Sequence, residues 1–334
     1  MKVLIIGGVA AGTKTAAKLK REDRSLDVTV ITKDQDISYA GCGLPYYVGG
    51  LIEGRDELIV NTPQKYSGLT GVEVRTGKEA AALDAQKKEI TVKDTVSGAT
   101  EVCPYDKLVI AVGASPAELP IAGRDLPGVF KMRTPDDADG IRTYAEENKV
   151  KKAVVIGAGF IGLEAAENLK ARGIDVTVID FAPQILPNIL DPEMAAYAKK
   201  HLLREGIRVI TGTSAEAVLG TDQVTGVKTS AGTLNCELLV MAAGIRPNTK
   251  FLEGTGIEMF KGTILVDEQM KTNLDDIYAA GDCVMVKNRI TGKAQWSPMG
   301  SSANLEGRTL AQVLTGTQKS YPGVLGDRKS TRLN

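Results

Sequence analysis

The chain has 334 residues, enough for two or three domains, and its 43% hydrophobic and 25% charged residues are ordinary for a soluble globular protein. The 41 basic and 41 acidic residues give a formal net charge of +0, which argues against nucleic acid and membranes as partners. No apolar run reaches the roughly 20 residues that cross a bilayer, and the N-terminus lacks the apolar core of a signal peptide. Four scattered cysteines and one histidine predict neither a disulfide framework nor a metal site, so a cytoplasmic location is expected.

The first predicted unit consists of a strand, a glycine-rich turn and a helix. Lys2–Ile6 is a continuous apolar run, and Gly7–Gly12 form the turn that follows it. Thr13–Arg21 then has helical spacing, and a second strand is predicted at Asp27–Ile31. In such a unit the turn leads into a helix N-terminus, where backbone amides and the helix dipole bind a pyrophosphate. This order predicts a dinucleotide-binding fold.

Two residues of this unit depart from the usual dinucleotide motif. Val9 stands where the second glycine of G-x-G-x-x-G belongs, and Thr32 replaces the usual acidic residue at the end of the second strand. Thr32 retains a hydroxyl for a ribose hydrogen bond, and Lys33 can contact a phosphate. Taken by itself, this unit also fits a glycine-rich turn in another kind of α/β protein.

One cysteine lies between two glycines in the stretch Ile37–Tyr46, shortly after this unit. Gly41 and Gly43 remove side-chain bulk on both sides of Cys42, so a large planar group or a substrate can approach its sulfur. Pro45 fixes the backbone locally, and a helix beginning here would favour the reactive thiolate. The alternative is a buried structural cysteine in a glycine-rich turn, and the presence of two nucleotide-binding motifs favours the redox interpretation.

The second unit repeats the same order with a complete motif. Its segments are the strand Ala153–Ile156, the turn Gly157–Gly162, the helix Leu163–Ala171 ended by Gly173, and the strand Asp175–Ile179. Asp180 closes the last strand, where an acidic side chain accepts hydrogen bonds from a ribose 2′-hydroxyl. Because Phe181 and Ala182 offer no arginine for a 2′-phosphate, NADH is favoured over NADPH.

Further strands with small residues at their ends accompany the two units. Leu108–Gly113 and Leu238–Gly244 are predicted strands of this kind, and small residues there let backbone approach a cofactor closely. Thr272–Asp282 is a third, ending in a Gly-Asp pair whose carboxylate accepts a hydrogen bond from a polyol chain or caps a helix. Leu58–Asp84 and Lys87–Lys93 are predicted as strands of an insertion. Two dinucleotide motifs in one chain predict two bound nucleotides, with electrons passing between them.

Together these residues resemble the FAD-dependent pyridine nucleotide-disulfide oxidoreductases. Ser38-Tyr39-x-x-Cys42-x-x-Pro45 is similar to the Ser-Phe-x-x-Cys-x-x-Pro motif of the CoA-disulfide reductases. These enzymes belong to a single-cysteine branch that also holds NADH oxidases, NADH peroxidases and CoA-persulfide reductases. The resemblance implies an α/β fold with two Rossmann-like, three-layer dinucleotide-binding domains, the NAD(P)H domain being inserted in the FAD domain. The implied boundaries are 1–115 and 245–322 for the FAD domain and 116–244 for the NAD(P)H domain.

The resemblance also implies roles for individual residues. The residues placed at FAD are Gly7, Gly8, Ala11, Gly12, Thr32, Lys33, Ala80, Ala111, Gly113, Gly281 and Asp282. Those placed at NAD(P)H are Gly157, Gly159, Phe160, Ile161, Gly162, Glu164, Asp180 and Gly244, with Glu164 orienting the nicotinamide amide and Phe160 gating the flavin face. Those placed at a CoA substrate or its surroundings are Lys18, Arg21, Ser38, Tyr39 and Asn304. A solvated helix face is the alternative for Lys18 and Arg21; no metal is implied.

The sequence departs from the family pattern near the cysteine and at its end. Besides Thr32, Gly41 replaces an Asn that precedes the cysteine in some CoA-disulfide reductases, which weakens the CoA assignment. Relatives carry a dimerisation domain that would begin near Tyr321, so 323–326 is expected to be its stub and the full-length parent is expected to be a homodimer. The last segment, 327–334, is expected to be a non-native tail, with a natural polar tail as the alternative.

The leading hypothesis is a disulfide reductase in which electrons pass from NAD(P)H through FAD to Cys42 and then to CoA disulfide or a related disulfide or persulfide. A second cysteine at Cys-x-x-Cys spacing is absent from the sequence, so Cys42 is expected to cycle through a mixed disulfide or a sulfenic acid. The alternatives are an NADH oxidase or peroxidase that reduces O2 or peroxide, and an inactive nucleotide-binding fragment. Cys103, Cys236 and Cys283 are predicted to be core residues.

Overall fold

The computed structural model describes residues 1–325, which fall into two units. The first unit contains Met1–Tyr39, Asn61–Ala114 and the chain from Pro247 onward, and the second contains Ala40–Val60 and Ser115–Arg246. The described helices are α1 (Ala10–Glu22), α2 (Leu44–Gly49), α3 (Pro63–Thr70), α4 (Pro135–Glu147), α5 (Phe160–Ala171), α6 (Pro192–Arg204) and α7 (Gly300–Leu314). Among them, none combines the length and apolarity that a bilayer crossing needs.

A five-stranded parallel sheet is the centre of the first unit. In spatial order its strands are Ile277–Ala279, Lys107–Ile110, Lys2–Ile6, Asp27–Ile31 and Glu73–Arg75. The strand Lys2–Ile6 is paired on both sides, which explains why it is a continuous apolar run. Helices α1 and α7 pack against each other so closely that a Cβ on Gly307 would lie 2.7 Å from the carbonyl oxygen of Ala11.

Two smaller sheets complete the first unit. One is antiparallel and contains Lys78–Asp84, Glu89–Asp94 and Thr100–Pro104. The other contains Met259–Phe260, Thr263–Leu265, Val284–Lys287 and Ala294–Trp296. The first unit also contains helix α3 and a 3-10 turn at Lys250–Leu252. One buried apolar cluster, which includes Leu4, Val30 and Leu310, joins the central sheet to its helices.

The second unit has the same architecture around a second parallel sheet. In spatial order its strands are Arg208–Thr211, Asp175–Asp180, Lys152–Ile156, Leu238–Met241 and Val129–Lys131. A three-stranded antiparallel sheet contains Ala215–Leu219, Gly226–Thr229 and Gly232–Asn235. Two 3-10 turns, Gly41–Gly43 and Arg55–Leu58, flank α2, and the short strands Ala114–Pro116 and Ile245–Pro247 pair where the chain passes between the units. Helices α2, α4 and α5 share one apolar cluster with the sheet.

The predicted fold class, an α/β protein with two Rossmann-like domains, is confirmed by the two parallel sheets. The prediction of strands throughout Leu58–Asp84 is wrong, because the first part of that segment is helical. Thr62 accepts a hydrogen bond from the backbone N–H of Lys65, and Pro63 occupies the first turn, so together they start α3. The predicted domain boundaries stay predictions. Gly326 of the 323–326 stub and the 327–334 tail lie outside the described residues.

Candidate active site

The first glycine turn brings backbone of two neighbouring strand ends into close contact. Gly7 has a φ of +118°, which an L side chain rarely adopts. A Cβ at Gly7 would overlap the carbonyl oxygen of Ala111, and a Cβ at Gly12 would overlap that of Gly7. Helix α1 starts directly after the turn at Ala10, its first turn contains no acidic residue, and no described side chain caps it. Its first amides therefore form a site that favours an anion.

Further candidates for FAD lie at the same carboxyl edge of the first sheet. The Ala111 N–H donates to Ile6 O at 2.8 Å and the Ala280 N–H donates to Ile110 O at 3.0 Å, so the strands leading to Ala111, Gly113, Gly281 and Asp282 end side by side. Gly8 lies in the glycine turn, and Ala11 lies in the first turn of α1. Small residues at these strand ends fit a cradle for a dinucleotide.

The residues predicted at FAD after the strand Asp27–Ile31 are placed less favourably for a phosphate contact than those at the glycine turn. Thr32 is 5% exposed, and its backbone N–H donates to Arg75 O at 3.0 Å. Lys33 is exposed and pairs with Glu79 at 2.9 Å, while Ala80 is half-buried on the neighbouring antiparallel sheet. The assignment of Thr32, Lys33 and Ala80 to FAD stays a prediction.

A buried glutamate that sequence reasoning missed holds the Gly-Asp turn. Glu306 on α7 is 1% exposed, and its Oε2 accepts a hydrogen bond from the Gly281 N–H at 2.7 Å. The pKa of Glu306 is raised to about 7, mainly by burial and in part by Asp282, against the lowering effect of the Gly281 N–H and the Tyr321 hydroxyl. The available signal was its position on the buried face of α7, beside Ala303 and Leu310 at helical spacing.

Glu306 predicts a pH-dependent stability. Because its pKa rises from 4.5 to about 7 on folding, its stabilising contribution is fully present below about pH 4.5 and is lost as the pH rises through about 7. The E306Q variant keeps an acceptor for Gly281 without the charge, so it should lack this dependence. Urea unfolding at pH 5 and pH 8 measures this: the free energy of unfolding should fall between the two pH values by about 2.5 kcal/mol more in the wild type than in E306Q. E253Q, at an exposed position, should match the wild type.

The second glycine turn repeats the build of the first. Gly157 has a φ of +111°, and a Cβ there would overlap the carbonyl oxygen of Ala242. A Cβ at Gly162 would likewise overlap the carbonyl oxygen of Gly157. By contrast, a Cβ at Gly159 or Gly244 would meet nothing within 4 Å, so open space lies beside both residues. The turn is therefore packed on its inner side and open on its outer side, as a nucleotide-binding loop requires.

The side chains expected around the pyridine nucleotide lie in the second unit. The Asp180 carboxylate, 9% exposed, accepts the N–H of Ala158 at 2.6 Å and that of Ala182 at 2.8 Å. Phe160 and Ile161 are 38% and 41% exposed at the start of α5. Glu164, one turn later, is half-buried, and burial raises its pKa. The sequence therefore located this turn and its acidic residue correctly, while their nucleotide contacts stay predictions.

Cys42 is the exposed cysteine of the described residues, whereas Cys103, Cys236 and Cys283 are buried. Burial raises the pKa of Cys236 and of Cys283 to about 12, so both thiols stay protonated. The prediction that these three cysteines are core residues is confirmed. Among the cysteines of the described residues, only Cys42 is exposed enough for its thiol to reach a disulfide substrate.

The loop around Cys42 is folded on itself. Cys42 lies in the 3-10 turn Gly41–Gly43, and α2 begins after it. The Ala40 N–H donates to Leu58 O and the Gly43 N–H donates to Ala40 O, both at 2.8 Å. A Cβ at Gly43 would lie 3.0 Å from the Leu58 side chain and 3.1 Å from that of Ile52. Gly43 therefore serves this packing, and its role in giving a substrate access to the sulfur stays a prediction.

The five residues predicted at a CoA substrate or its surroundings all lie in the first unit. Lys18 forms an ion pair with Glu22 one turn away, which agrees with a solvated helix face, and Arg21 is exposed. Ser38 has a φ of +49° and its N–H donates to Gly8 O at 2.9 Å, while Tyr39 is 6% exposed. The Asn304 amide donates to Gly300 O at 2.8 Å within α7. Their role in substrate binding stays a prediction.

Comparisons with known proteins agree with the two glycine turns. The model of the pyridine nucleotide-disulphide oxidoreductase family matches residues 1–301. The chain is 38% identical to an NADH oxidase of Methanocaldococcus jannaschii, over 99% of this chain and 73% of the relative. It is 34% identical to an NAD(P)H sulfur oxidoreductase (CoA-dependent) of Pyrococcus furiosus, over 97% and 72%. The solved structure of an NAD-dependent persulfide reductase from A. fulgidus matches with a TM-score of 0.93 and 38% identity, over 97% of this chain and 61% of that chain.

Proposed function

Because the chain belongs to the pyridine nucleotide-disulphide oxidoreductase family, as the sequence predicted, we propose that it is an FAD-dependent disulfide reductase using NADH and Cys42. The substrate proposed is CoA disulfide or a CoA persulfide. The observation that carries the proposal is one exposed thiol, Cys42, among the described residues of a chain with two dinucleotide turns. The chain spans less than two thirds of the solved persulfide reductase, at 61%, so its activity and substrate belong to this proposal.

The residues of the first turn fit FAD. Gly7 and Gly12 pack the turn against backbone, and α1 directs its first amides to the site where a pyrophosphate would bind. Asp282 follows Gly281 at a neighbouring strand end, where a carboxylate accepts hydrogen bonds from a ribityl chain. When bound, FAD takes a hydride from the reduced pyridine nucleotide and delivers an electron pair to sulfur.

The residues of the second turn fit NADH. The open space beside Gly159 and Gly244 admits a pyrophosphate close to the backbone. Asp180 is a carboxylate at the strand end, and Phe181, 80% exposed, gives no positive charge for a 2′-phosphate. This arrangement supports NADH over NADPH. Phe160 and Glu164 are proposed to contact the nicotinamide end because both lie in the first turns of α5.

Replacing Asp180 by alanine should weaken the use of NADH. The substitution removes the carboxylate that is proposed to accept hydrogen bonds from the ribose. It also removes the oxygens that accept the N–H groups of Ala158 and Ala182. We expect the KM for NADH to rise about 10- to 100-fold and the KM for NADPH to change less. Steady-state kinetics with both nucleotides measures this. Asp175→Ala, at the exposed opposite end of the same strand, is the matched control, and an equal rise for both nucleotides would contradict the role of Asp180.

Cys42 supplies the sulfur chemistry. Its thiolate attacks one sulfur of CoA disulfide, forming a mixed disulfide with one CoA and releasing the other as a thiolate, which takes a proton. Two electrons then break the mixed disulfide, the second CoA leaves as a thiol after taking a proton, and Cys42 returns to the thiolate. The overall reaction converts NADH, one proton and CoA disulfide to NAD⁺ and two CoA thiols. With a persulfide, the same attack on sulfur leads to a CoA thiol and hydrogen sulfide.

An anaerobic NADH titration of the FAD-loaded protein tests the proposal. NADH should bleach the flavin absorbance, and CoA disulfide or CoA persulfide should restore it while thiol or sulfide is released. Reoxidation by O2 or peroxide alone would instead support the oxidase or peroxidase alternative. The M. jannaschii relative, which is named an NADH oxidase, favours this alternative. A flavin that NADH does not bleach would support a non-catalytic nucleotide-binding protein.

A homodimer and a cytoplasmic location complete the proposal. A reducing compartment keeps Cys42 and the three buried cysteines as thiols, as the structure has them. Light scattering of the protein should give twice the mass of one chain. A monomer at micromolar concentration would contradict the dimer without affecting the proposed chemistry.

A further inference from the structure

Two arginines cap the C-terminal end of α2, the short helix that follows Cys42. The Arg172 Nη1 donates to Val48 O at 3.0 Å, and the Arg142 Nη1 donates to Tyr47 O at 3.4 Å. The last carbonyls of a helix lack partners within the helix, and positive charge at this end is favourable. At the end of α2 opposite to Cys42, Arg172 therefore supplies a donor to Val48 O, and Arg142 adds a donor to Tyr47 O, which also accepts the N–H of Gly50 at 3.1 Å.

One carboxylate links the two arginines. Glu146 on α4 accepts hydrogen bonds from Arg142 Nε at 3.4 Å and from Arg172 Nη2. The hydrogen bond from Arg172 is the main reason why the pKa of Glu146 is lowered, so the carboxylate stays charged. Arg142 also donates to Glu53 O at 2.9 Å, and its guanidinium lies 4.7 Å from the centre of the Tyr47 ring. Each guanidinium thus uses more than one donor at once in a fixed planar arrangement, whereas the three donors of a lysine lie on a single nitrogen.

Direct packing adds to these hydrogen bonds. A Cβ on Gly49, the last residue of α2, would overlap the side-chain amide oxygen of Asn168 on α5 and lie 3.0 Å from its Cβ. The Tyr47 hydroxyl donates to Asp139 on α4, which also accepts a hydrogen bond from Arg55. The helix that follows the reactive cysteine is therefore held by both α4 and α5 within the second unit.

We propose that Arg142 and Arg172 are positioning residues for Cys42: by capping α2 and joining it to α4 and α5, they hold the thiol in the geometry that disulfide attack needs. The proposal rests on the proposed disulfide reductase activity. The hydrogen bonds given for the two arginines within the described residues go to α2, to Glu53 and to Glu146. Arg172 follows the last residue of α5, whose first residue is Phe160, so about 18 Å of helix separates Arg172 from the second glycine turn. Its loss should affect sulfur chemistry more than NADH oxidation.

Arg172→Met and Arg142→Met test this in the FAD-loaded protein, with Arg204→Met at the exposed end of α6 as the matched control. In hydrogen–deuterium exchange, the peptide covering 40–52 should exchange at least about tenfold faster, while the strand Lys152–Ile156 stays protected. In stopped-flow experiments, flavin reoxidation by CoA disulfide should slow at least about tenfold, and flavin reduction by NADH should slow less than threefold. Arg172→Lys should lie between wild type and Arg172→Met.

The outcomes separate this proposal from the proposed function. Equal slowing of both half-reactions, or unchanged exchange of 40–52, would overturn the positioning role. If NADH fails to bleach the wild-type flavin, the proposed function fails, and the exchange data still decide whether the arginines hold the segment. If the methionine variants do not fold, Arg142→Lys and Arg172→Lys decide: unchanged exchange and rates in both would overturn the proposal, and selective loss of reoxidation would support it.

Discussion

Replacing Cys42 by serine should lower CoA disulfide reduction at least about 1,000-fold, because a hydroxyl is a far weaker nucleophile toward sulfur than a thiolate. NADH should still bleach the bound flavin, since both glycine turns are unchanged in Cys42→Ser. Rapid-mixing absorbance measures both half-reactions, and free thiol release measures the product. The other cysteines cannot replace Cys42, because Cys103, Cys236 and Cys283 are buried.

The matched control is Cys103→Ala, which removes a buried thiol from the small antiparallel sheet of the first unit. It should retain disulfide reduction, with a modest loss of stability of about 1 kcal/mol. Undiminished disulfide reduction by Cys42→Ser would exclude the thiol relay. Equal loss in Cys42→Ser and Cys103→Ala would show that folding, not chemistry, was affected.

Replacing Gly12 by alanine should abolish tight FAD binding. A methyl group at this position would overlap the carbonyl oxygen of Gly7, so α1 and the glycine turn would have to separate. Backbone on both sides of the overlap leaves little freedom to adjust. We expect FAD affinity to fall at least about 100-fold, or ~3 kcal/mol. Titration of the apoprotein with FAD, followed by quenching of flavin fluorescence, measures the affinity.

Gly68→Ala is the matched control for this substitution. Gly68 lies within α3 and a Cβ there would meet nothing within 4 Å, so alanine should stabilise the helix by about 0.5–1 kcal/mol. Its FAD affinity should equal that of the wild type. Tight FAD binding by Gly12→Ala would show that the first turn is not the FAD site.

The sequence predicted the elements whose signals are local. The strands Lys2–Ile6 and Asp27–Ile31 agree residue for residue with the structure, because apolar runs that end at glycines or polar residues define buried parallel strands. Helix α3 was missed because its start depends on Thr62 and Pro63 within a polar stretch that lacks clear helical periodicity. The exposure of Cys42 was likewise open, since a glycine-rich turn fits a buried or an exposed thiol.

The residues that sequence reasoning missed act through contacts between distant parts of the chain. Glu306 binds an amide 25 positions away, and Arg172 binds a carbonyl 124 positions away. Neither residue lies in a recognisable motif, and a glutamate or an arginine on a helix does not by itself indicate which group it binds. Their partners become neighbours only when α7 packs at the Gly-Asp turn and α5 packs on α2. Tertiary structure, not local pattern, supplies this information.

The most direct test of the account is to trap the mixed disulfide on the protein. The FAD-loaded protein is reacted with one equivalent of CoA disulfide without NADH, digested, and analysed by mass spectrometry peptide by peptide. We expect one CoA bound to the peptide that contains Cys42, and its release as thiol when NADH is added. A CoA adduct on another cysteine, no adduct at all, or an adduct on Cys42 that NADH does not discharge would contradict it.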